Sequence, residues 1–248
     1  MPATTVTIAT PDGRCPATLH TPIYDAARPA VIMYPDAGGT RNAFHDKAAT
    51  LAGLGYTVLL PDIYYRHGTW RPFDMSTVWN DAAERQRLMT MVHSLTPDQI
   101  AGDGSAFIDF LADSQHTSGT CVGVCGYCGG GRMAFIVAGR HPDRVAAVGA
   151  IHAGQLVTDT PDSPHLLAKN MKTVTVYIGA ADNDPMFTAH HADVLNQALS
   201  NAGTAHTLHT YSAAHGFAVS DGAHYDLEAD AHHWSALNTL FRSAMGTV

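Results

Sequence analysis

Three side chains in this sequence are of types that together run nucleophilic catalysis, and their surroundings matter as much as their identity. Cys128 lies in Gly126-Tyr127-Cys128-Gly129-Gly130, after an apolar run ending Val124-Cys125 and before Arg132-Met133-Ala134-Phe135, which reads as the first turn of a helix. Strand, Gly-X-nucleophile-X-Gly, helix is the pattern of a nucleophile elbow, here with cysteine at its tip. The glycines have a physical task, because side chains flanking so sharp a turn would collide with the neighbouring strand and helix. The succeeding helix aims its N-terminal N–H groups and partial positive charge at the nucleophile, which favours a thiolate and an oxyanion alike.

A Gly-rich turn between strand and helix is common, so the pentapeptide gains weight only from residues further along the chain. Asp182 closes the strand-like run Val174 to Ile178 through Gly179, and Ala214-His215-Gly216-Phe217 comes just after a run ending at Tyr211. Nucleophile, acid, histidine is the chain order of an α/β-hydrolase triad, each member on a loop at the carboxyl end of a strand. Each alone has a plainer reading: Asp182 as a turn acid before Asn183-Asp184-Pro185, and His215 as one of 16 histidines. Together the triad implies that His215 moves the proton of Cys128 to a leaving alcohol while Asp182 fixes its tautomer. The backbone N–H groups of Gly129 and Ala37 would hold the oxyanion. A thiolate leaves readily, so esters and lactones suit it better than amides. This chemistry needs no metal and no organic cofactor.

The elements that must position these residues alternate. Two β-type runs, Thr5 to Ala9 and Ala17 to Thr21, are joined by Pro11-Asp12-Gly13, a turn sequence that predicts an antiparallel start. Further strand-like runs lie at Ala30 to Tyr34, Thr57 to Leu60, Thr120 to Val124, Val145 to Ile151, Thr173 to Ile178 and Ala205 to Tyr211. Helical patterns separate them, at Ala43 to Leu54, Asp81 to Val92 and Asp103 to Ala112, and from Arg132, Thr188 and Ala229. Apolar runs separated by helix-length segments imply parallel strands buried on both faces. The expected fold is α/β, with a mainly parallel sheet of about eight strands and helices on both faces. The segment from Asp62 to Asn80 breaks the rhythm, with Tyr64, Tyr65, Trp70, Phe73 and Trp79 but no clean period. It reads as a lid-like insertion, with Tyr64 and Trp70 as candidate apolar walls of a substrate pocket.

Composition narrows the possibilities further. The chain has 248 residues, of which 46% are hydrophobic and 15% charged, with a formal net charge of -8. An acidic balance excludes a nucleic-acid binder, which needs cations to displace counterions from phosphate. One domain is the expectation for residues 1–248. The opening MPATTVTIATPDGR has no positive leader before an apolar stretch, and no window approaches the roughly 20 apolar residues of a membrane span, so a cytoplasmic protein with a small-molecule substrate is expected. Cys15, Cys121, Cys125 and Cys128 are too clustered for a secreted disulfide framework.

At these motifs the sequence resembles the dienelactone hydrolases (carboxymethylenebutenolidases) of the α/β-hydrolase superfamily. The likeness lies at Gly126-Tyr127-Cys128-Gly129-Gly130, at Gly179 with Asp182, at Ala214-His215-Gly216-Phe217 and at Leu60-Pro61-Asp62-Ile63-Tyr64, and spans about Ala30 to Phe241. The resemblance implies Cys128 as nucleophile, Asp182 and His215 as its partners, and Asp36 as an acid beside the thiol, where known members carry the longer Glu. It also implies substrate-binding positions at Arg87, within Glu84-Arg85-Gln86-Arg87, and at Val219, where known members carry an Arg for the substrate carboxylate. Without that cation, neutral or aromatic esters and lactones are expected in place of dienelactone itself.

Two other classes compete. Cys125 and Cys128 form a Cys-x-x-Cys pair that a thiol redox protein could use, although Cys125 would end a buried strand. A non-catalytic small-molecule binding protein on the same fold would have no use for a complete triad.

Overall fold

The computed structural model describes residues 1–23 and 26–246. The chain opens with a hairpin of β1 (Ala3–Thr10) and β2 (Gly13–His20), whose register pairs Thr10 with Gly13 across the expected turn. Next come β3 (Arg28–Tyr34), α1 (Asn42–Gly53) and β4 (Thr57–Pro61), and after the aromatic segment α2 (Ala82–His93) and α3 (Pro97–Ala112). The second half runs β5 (Thr117–Tyr127), α4 (Gly129–Arg140), β6 (Val145–Ile151), β7 (Thr175–Ala181), α5 (Ala189–Asn201), β8 (His206–Tyr211) and α6 (Leu227–Met245). The eight strands form one sheet in the order β1-β2-β4-β3-β5-β6-β7-β8. The pairs β1–β2 and β2–β4 are antiparallel, and every pair from β4–β3 to β7–β8 is parallel.

Parallel strands covered by helices are buried on both faces, and β3 shows how its residues divide. Ile32 and Tyr34 join a core cluster with Phe107 of α3 and Phe135 of α4, whereas Val31 and Met33 join a second cluster with Phe44 of α1 and Phe241 of α6. The parallel strands thus end side by side between two helical layers, and their carboxyl-end loops carry the candidate chemistry.

Several elements differ from expectation: β5 extends three residues further at each end than Thr120 to Val124, and two others bear on the site. Helix α3 begins at Pro97, six residues before Asp103, because Thr96 and Gln99 form a capping box: Thr96 Oγ1 accepts from the Gln99 N–H at 3.3 Å and Gln99 Oε1 from the Thr96 N–H at 3.1 Å. Gly102 and Gly104 mask the helical signal there, and Gly104 is required sterically, since a Cβ would lie 2.6 Å from a methyl carbon of Val137 on α4. Strand β7 runs on to Ala181, which shortens the loop that presents the acid. No described helix is long and apolar enough to cross a membrane.

Candidate active site

Strand β5 delivers Cys128 directly after Tyr127, and the residue adopts φ 55° and ψ -121°, a strained conformation for a side chain other than glycine. Backbone hydrogen bonds hold that strain: the Cys128 N–H donates to Ile151 O at 3.0 Å, and its carbonyl accepts from the Gly131 N–H at 3.0 Å. The tightness of the turn explains its glycines. A Cβ on Gly126 would sit 2.1 Å from the Gly130 carbonyl oxygen, and one on Gly130 would sit 2.1 Å from the Pro35 oxygen, whereas Gly129 faces open space.

His215 comes after β8 and meets a carboxylate, but it is Asp184 and not Asp182 that does so. Nδ1 of His215 lies 2.6 Å from Asp184 Oδ2, and Asp184 is 3% exposed. The N–H of Met186 donates to Asp184 Oδ1 at 2.9 Å, which fixes the carboxylate from the other side. Asp182 instead caps its own turn, accepting from the Asn183 N–H at 2.9 Å, and lies at an open cleft of about 460 Å³ beside His215 and His224. Asn183, at φ 55°, lies between the two acids, of which the second is the buried one.

The electrostatics of the pair agree with its geometry. Burial penalises the ionised Asp184, but the hydrogen bond and charge of His215, with the N–H groups of Met186 and Phe187, hold it below the usual carboxylate range. For His215 burial again opposes charge; the Asp184 hydrogen bond, then the Cys128 thiol, outweigh it and push the imidazole up to about 10. Its other nitrogen, Nε2, is buried and has no hydrogen-bond partner of good geometry.

The loop after β3 packs on the elbow through Pro35 and carries Asp36 and Ala37. Neither the Ala37 N–H nor the Gly129 N–H donates to a protein acceptor among the described residues, the condition an oxyanion hole requires. Asp36 does not hydrogen-bond the thiol. Its Oδ1 accepts from the Gly38 N–H at 2.8 Å and from Arg41 at 2.7 Å, and its Oδ2 accepts from Arg41 at 3.0 Å.

The candidate substrate residues divide in the same way. Tyr64 is 1% exposed and supports the loop from beneath, its hydroxyl donating to Ala37 O at 2.7 Å. Trp70 packs on Gly39 and donates to both oxygens of Asp62 at 3.1 Å, stacked on Phe73. Arg87 is engaged elsewhere: it pairs with Glu84 at 2.8 Å, donates to Arg71 O and lies 3.7 Å over the Phe73 ring. Val219 is 2% exposed and belongs to the core with Phe217 and Phe241, so no arginine could extend from there into a cleft without repacking. Cys125 is fully buried in that same core, where burial pushes its thiol up to about 12.

Sequence reading missed His152, the residue after β6. It has φ 36°, is 1% exposed, leaves both ring nitrogens unpartnered, and its ring centroid lies 5.2 Å from that of His215. Its only signal was a histidine at the end of an apolar run. Among the described residues, no His, Cys, Asp and Glu side chains group as metal ligands.

The Dienelactone hydrolase family pattern matches residues 16–245. The chain belongs to that family. A carboxymethylenebutenolidase of Pseudomonas sp. (strain P51) is 29% identical over 201 residues, 81% of this chain and 79% of the relative. The carboxymethylenebutenolidase of Pseudomonas putida is 23% identical, over 83% and 82% of the two chains. Among solved structures, a dienelactone hydrolase-like promiscuous phosphotriesterase from metagenomic libraries superposes with a TM-score of 0.79 at 22% identity, covering 98% of each chain. An esterase of Pyrobaculum calidifontis gives a TM-score of 0.70 at 16% identity, over 100% of this chain and 86% of that one. These likenesses establish the α/β-hydrolase fold. In this dienelactone hydrolase family member the elbow, the histidine loop and the acid loop all extend from the carboxyl ends of parallel strands, β5, β8 and β7.

Proposed function

We propose that this protein hydrolyses esters or lactones through an acyl-enzyme on Cys128, with His215 and Asp184 as its partners. The observation that carries the reading is the part-buried Asp184–His215 hydrogen bond of 2.6 Å beside a nucleophile held at φ 55°. His215 takes the proton of Cys128 as the sulfur attacks, and the adjacent Asp184 carboxylate stabilises the imidazolium that forms. The thiolate attacks the carbonyl carbon, and the oxygen that gains the electron pair is held by the N–H groups of Ala37 and Gly129. Collapse of this intermediate breaks the carbon–oxygen bond, and Nε2–H of His215 protonates the departing alcohol. Neutral His215 then takes a proton from water as that water attacks the thioester, and the carboxylic acid leaves as the sulfur departs and recovers that proton.

The substrate is a neutral or aromatic ester or lactone. Val219 lies in the core and Arg87 is paired with Glu84, so neither residue offers a cation to a substrate carboxylate. Trp70, beside Gly39, supplies an apolar surface, and burial of apolar substrate there contributes about 25 cal/mol per Å².

The test is turnover of p-nitrophenyl acetate and of a small panel of lactones by wild type and Cys128→Ala, with intact-mass detection of the acyl-enzyme. A burst and a covalent adduct mapped to Cys128 are expected. Equal turnover by Cys128→Ala would overturn the reading.

A further inference from the structure

Arg41 closes a connection that the triad chemistry does not use. It lies at the N-terminus of α1, its side chain is 7% exposed, and every one of its five N–H donors is taken. Two go to Asp36, at 2.7 and 3.0 Å, and one to Gly39 O at 3.2 Å. Two go to Asp221, at 2.7 and 2.9 Å, across 180 positions of sequence. Asp36 and Gly39 bracket Ala37 on the oxyanion loop, and Asp221 lies on the stretch after His215. One guanidinium thus ties the loop bearing an oxyanion donor to the loop bearing the histidine.

The same contact manages charge. Asp36 is 8% exposed and directly succeeds Pro35, which touches the elbow. The Tyr64 hydroxyl marks how close these groups lie. After burial, the charges that push it up are those of Asp36, Cys128 and Asp62, and Arg41 opposes them. Asp36 and Cys128 both act on that hydroxyl, and Pro35, next to Asp36, touches the elbow that carries the sulfur. An unpaired carboxylate there would disfavour both the thiolate and the oxyanion by Coulomb repulsion.

We propose that Arg41 is a positioning residue for this reaction: by gripping Asp36 and Asp221 together it fixes the Ala37 loop against the His215 loop and neutralises the carboxylate beside the sulfur. For its turnover arm the proposal rests on the hydrolase reading; its alkylation arm does not.

The experiment compares Arg41→Met, Asp221→Asn and the double variant Asp36→Asn/Arg41→Met with wild type. In Arg41→Met, kcat should fall about 100-fold, the scale of a lost oxyanion donor, with KM little changed. The rate of Cys128 carbamidomethylation by iodoacetamide at pH 7 should fall about tenfold, as an uncompensated nearby charge predicts. The double variant, lacking the stranded charge, should recover the alkylation rate and part of kcat. Asp221→Asn loosens one side only and should lower kcat while leaving alkylation unchanged; it carries the test if Arg41→Met does not fold. Overturning results are an Arg41→Met or, failing that, an Asp221→Asn enzyme with wild-type kcat, or a folded double variant that alkylates no faster than the single one. Absent turnover in wild type with the alkylation pattern intact would instead refute the hydrolase reading and leave the charge role of Arg41 standing.

Discussion

Nδ1 of His215 lies 2.6 Å from Oδ2 of Asp184, whose side chain has no solvent-exposed surface. Such a carboxylate does three things for an imidazole: it selects the tautomer, fixes the ring and stabilises the cation. Replacing Asp184 with Asn keeps the shape and removes the charge. The expected loss in kcat for Asp184→Asn is about 10³- to 10⁴-fold, the scale seen when a triad carboxylate is neutralised. Asp182→Asn, at the open cleft, should leave kcat close to that of wild type. Ester turnover of the two variants side by side decides between the acids, and a reversed order would reassign the partner of His215.

The same pair sets a pH dependence of stability. The folded pKa of His215, about 10, lies above its ordinary 6.5, so its contribution is complete below about 6.5 and is lost as pH rises through about 10. Asp184 is shifted downward from 3.8, so its contribution is present above that value and is lost as pH falls below it. The Tm difference between wild type and Asp184→Asn should therefore be widest near pH 5 to 6.5 and narrow towards pH 10. Thermal melts across that range check it. A gap as wide at pH 10.5 as at pH 6 would show that the difference does not come from this ion pair.

The partner of His215 shows where local signals stop: the spacing points to Asp182, and the folded chain puts Asp184 against the imidazole. Alternating apolar runs, the Pro-Asp-Gly turn and the elbow glycines act locally, so they place the sheet, Cys128 and His215 directly. Asp182 and Asp184 are two residues apart on one turn, with Asn183 at positive φ between them, and which of them is buried is set by contacts with His215 and the Met186 N–H that sequence alone does not show. Asp36 and Arg87 have ion-pair partners close in sequence, Arg41 five residues on and Glu84 three residues back on the same helix, and residue type alone does not say that these pairs form in place of a contact with thiol or substrate. His152 had only its place at the end of an apolar run to mark it, because its isolation from hydrogen-bond partners exists only once Tyr127, Phe217 and His215 surround it.

The elbow glycines differ in what they tolerate. Gly130→Ala would set a methyl group 2.1 Å from a backbone oxygen that cannot move without shifting Pro35, so loss of folding or a large fall in Tm is expected. Gly129→Ala meets nothing within 4 Å and should fold with nearly wild-type Tm, while its methyl group, projecting into the open space beside the residue's unpaired N–H, should raise KM for bulky acyl groups. Circular-dichroism melts and kinetics with acetyl and benzoyl esters separate the two. Equal Tm losses would mean that the tight packing at Gly130 relaxes more easily than its backbone contacts indicate.

Val219 offers the sharpest test of substrate charge, because two accounts of this position predict opposite results. If the position faced the substrate, Val219→Arg would restore a cation and raise kcat/KM for a lactone carrying a carboxylate over its methyl ester. The side chain is instead packed with Phe217, Ala218 and Phe241. An arginine there would either bury an unpaired charge, at a cost on the order of several kcal/mol, or break open that core to reach water. The expected outcome for Val219→Arg is a large drop in Tm with no gain for the acid, whereas Val219→Ile should keep both stability and substrate preference. Wild type should turn over the methyl ester at least as well as the free acid, since burying a carboxylate without a compensating cation leaves its desolvation unrecovered. A strong preference of wild type for the acid would mean that a cation reaches the substrate from elsewhere. A stable Val219→Arg enzyme that gains activity on the acid would place residue 219 at the substrate after all.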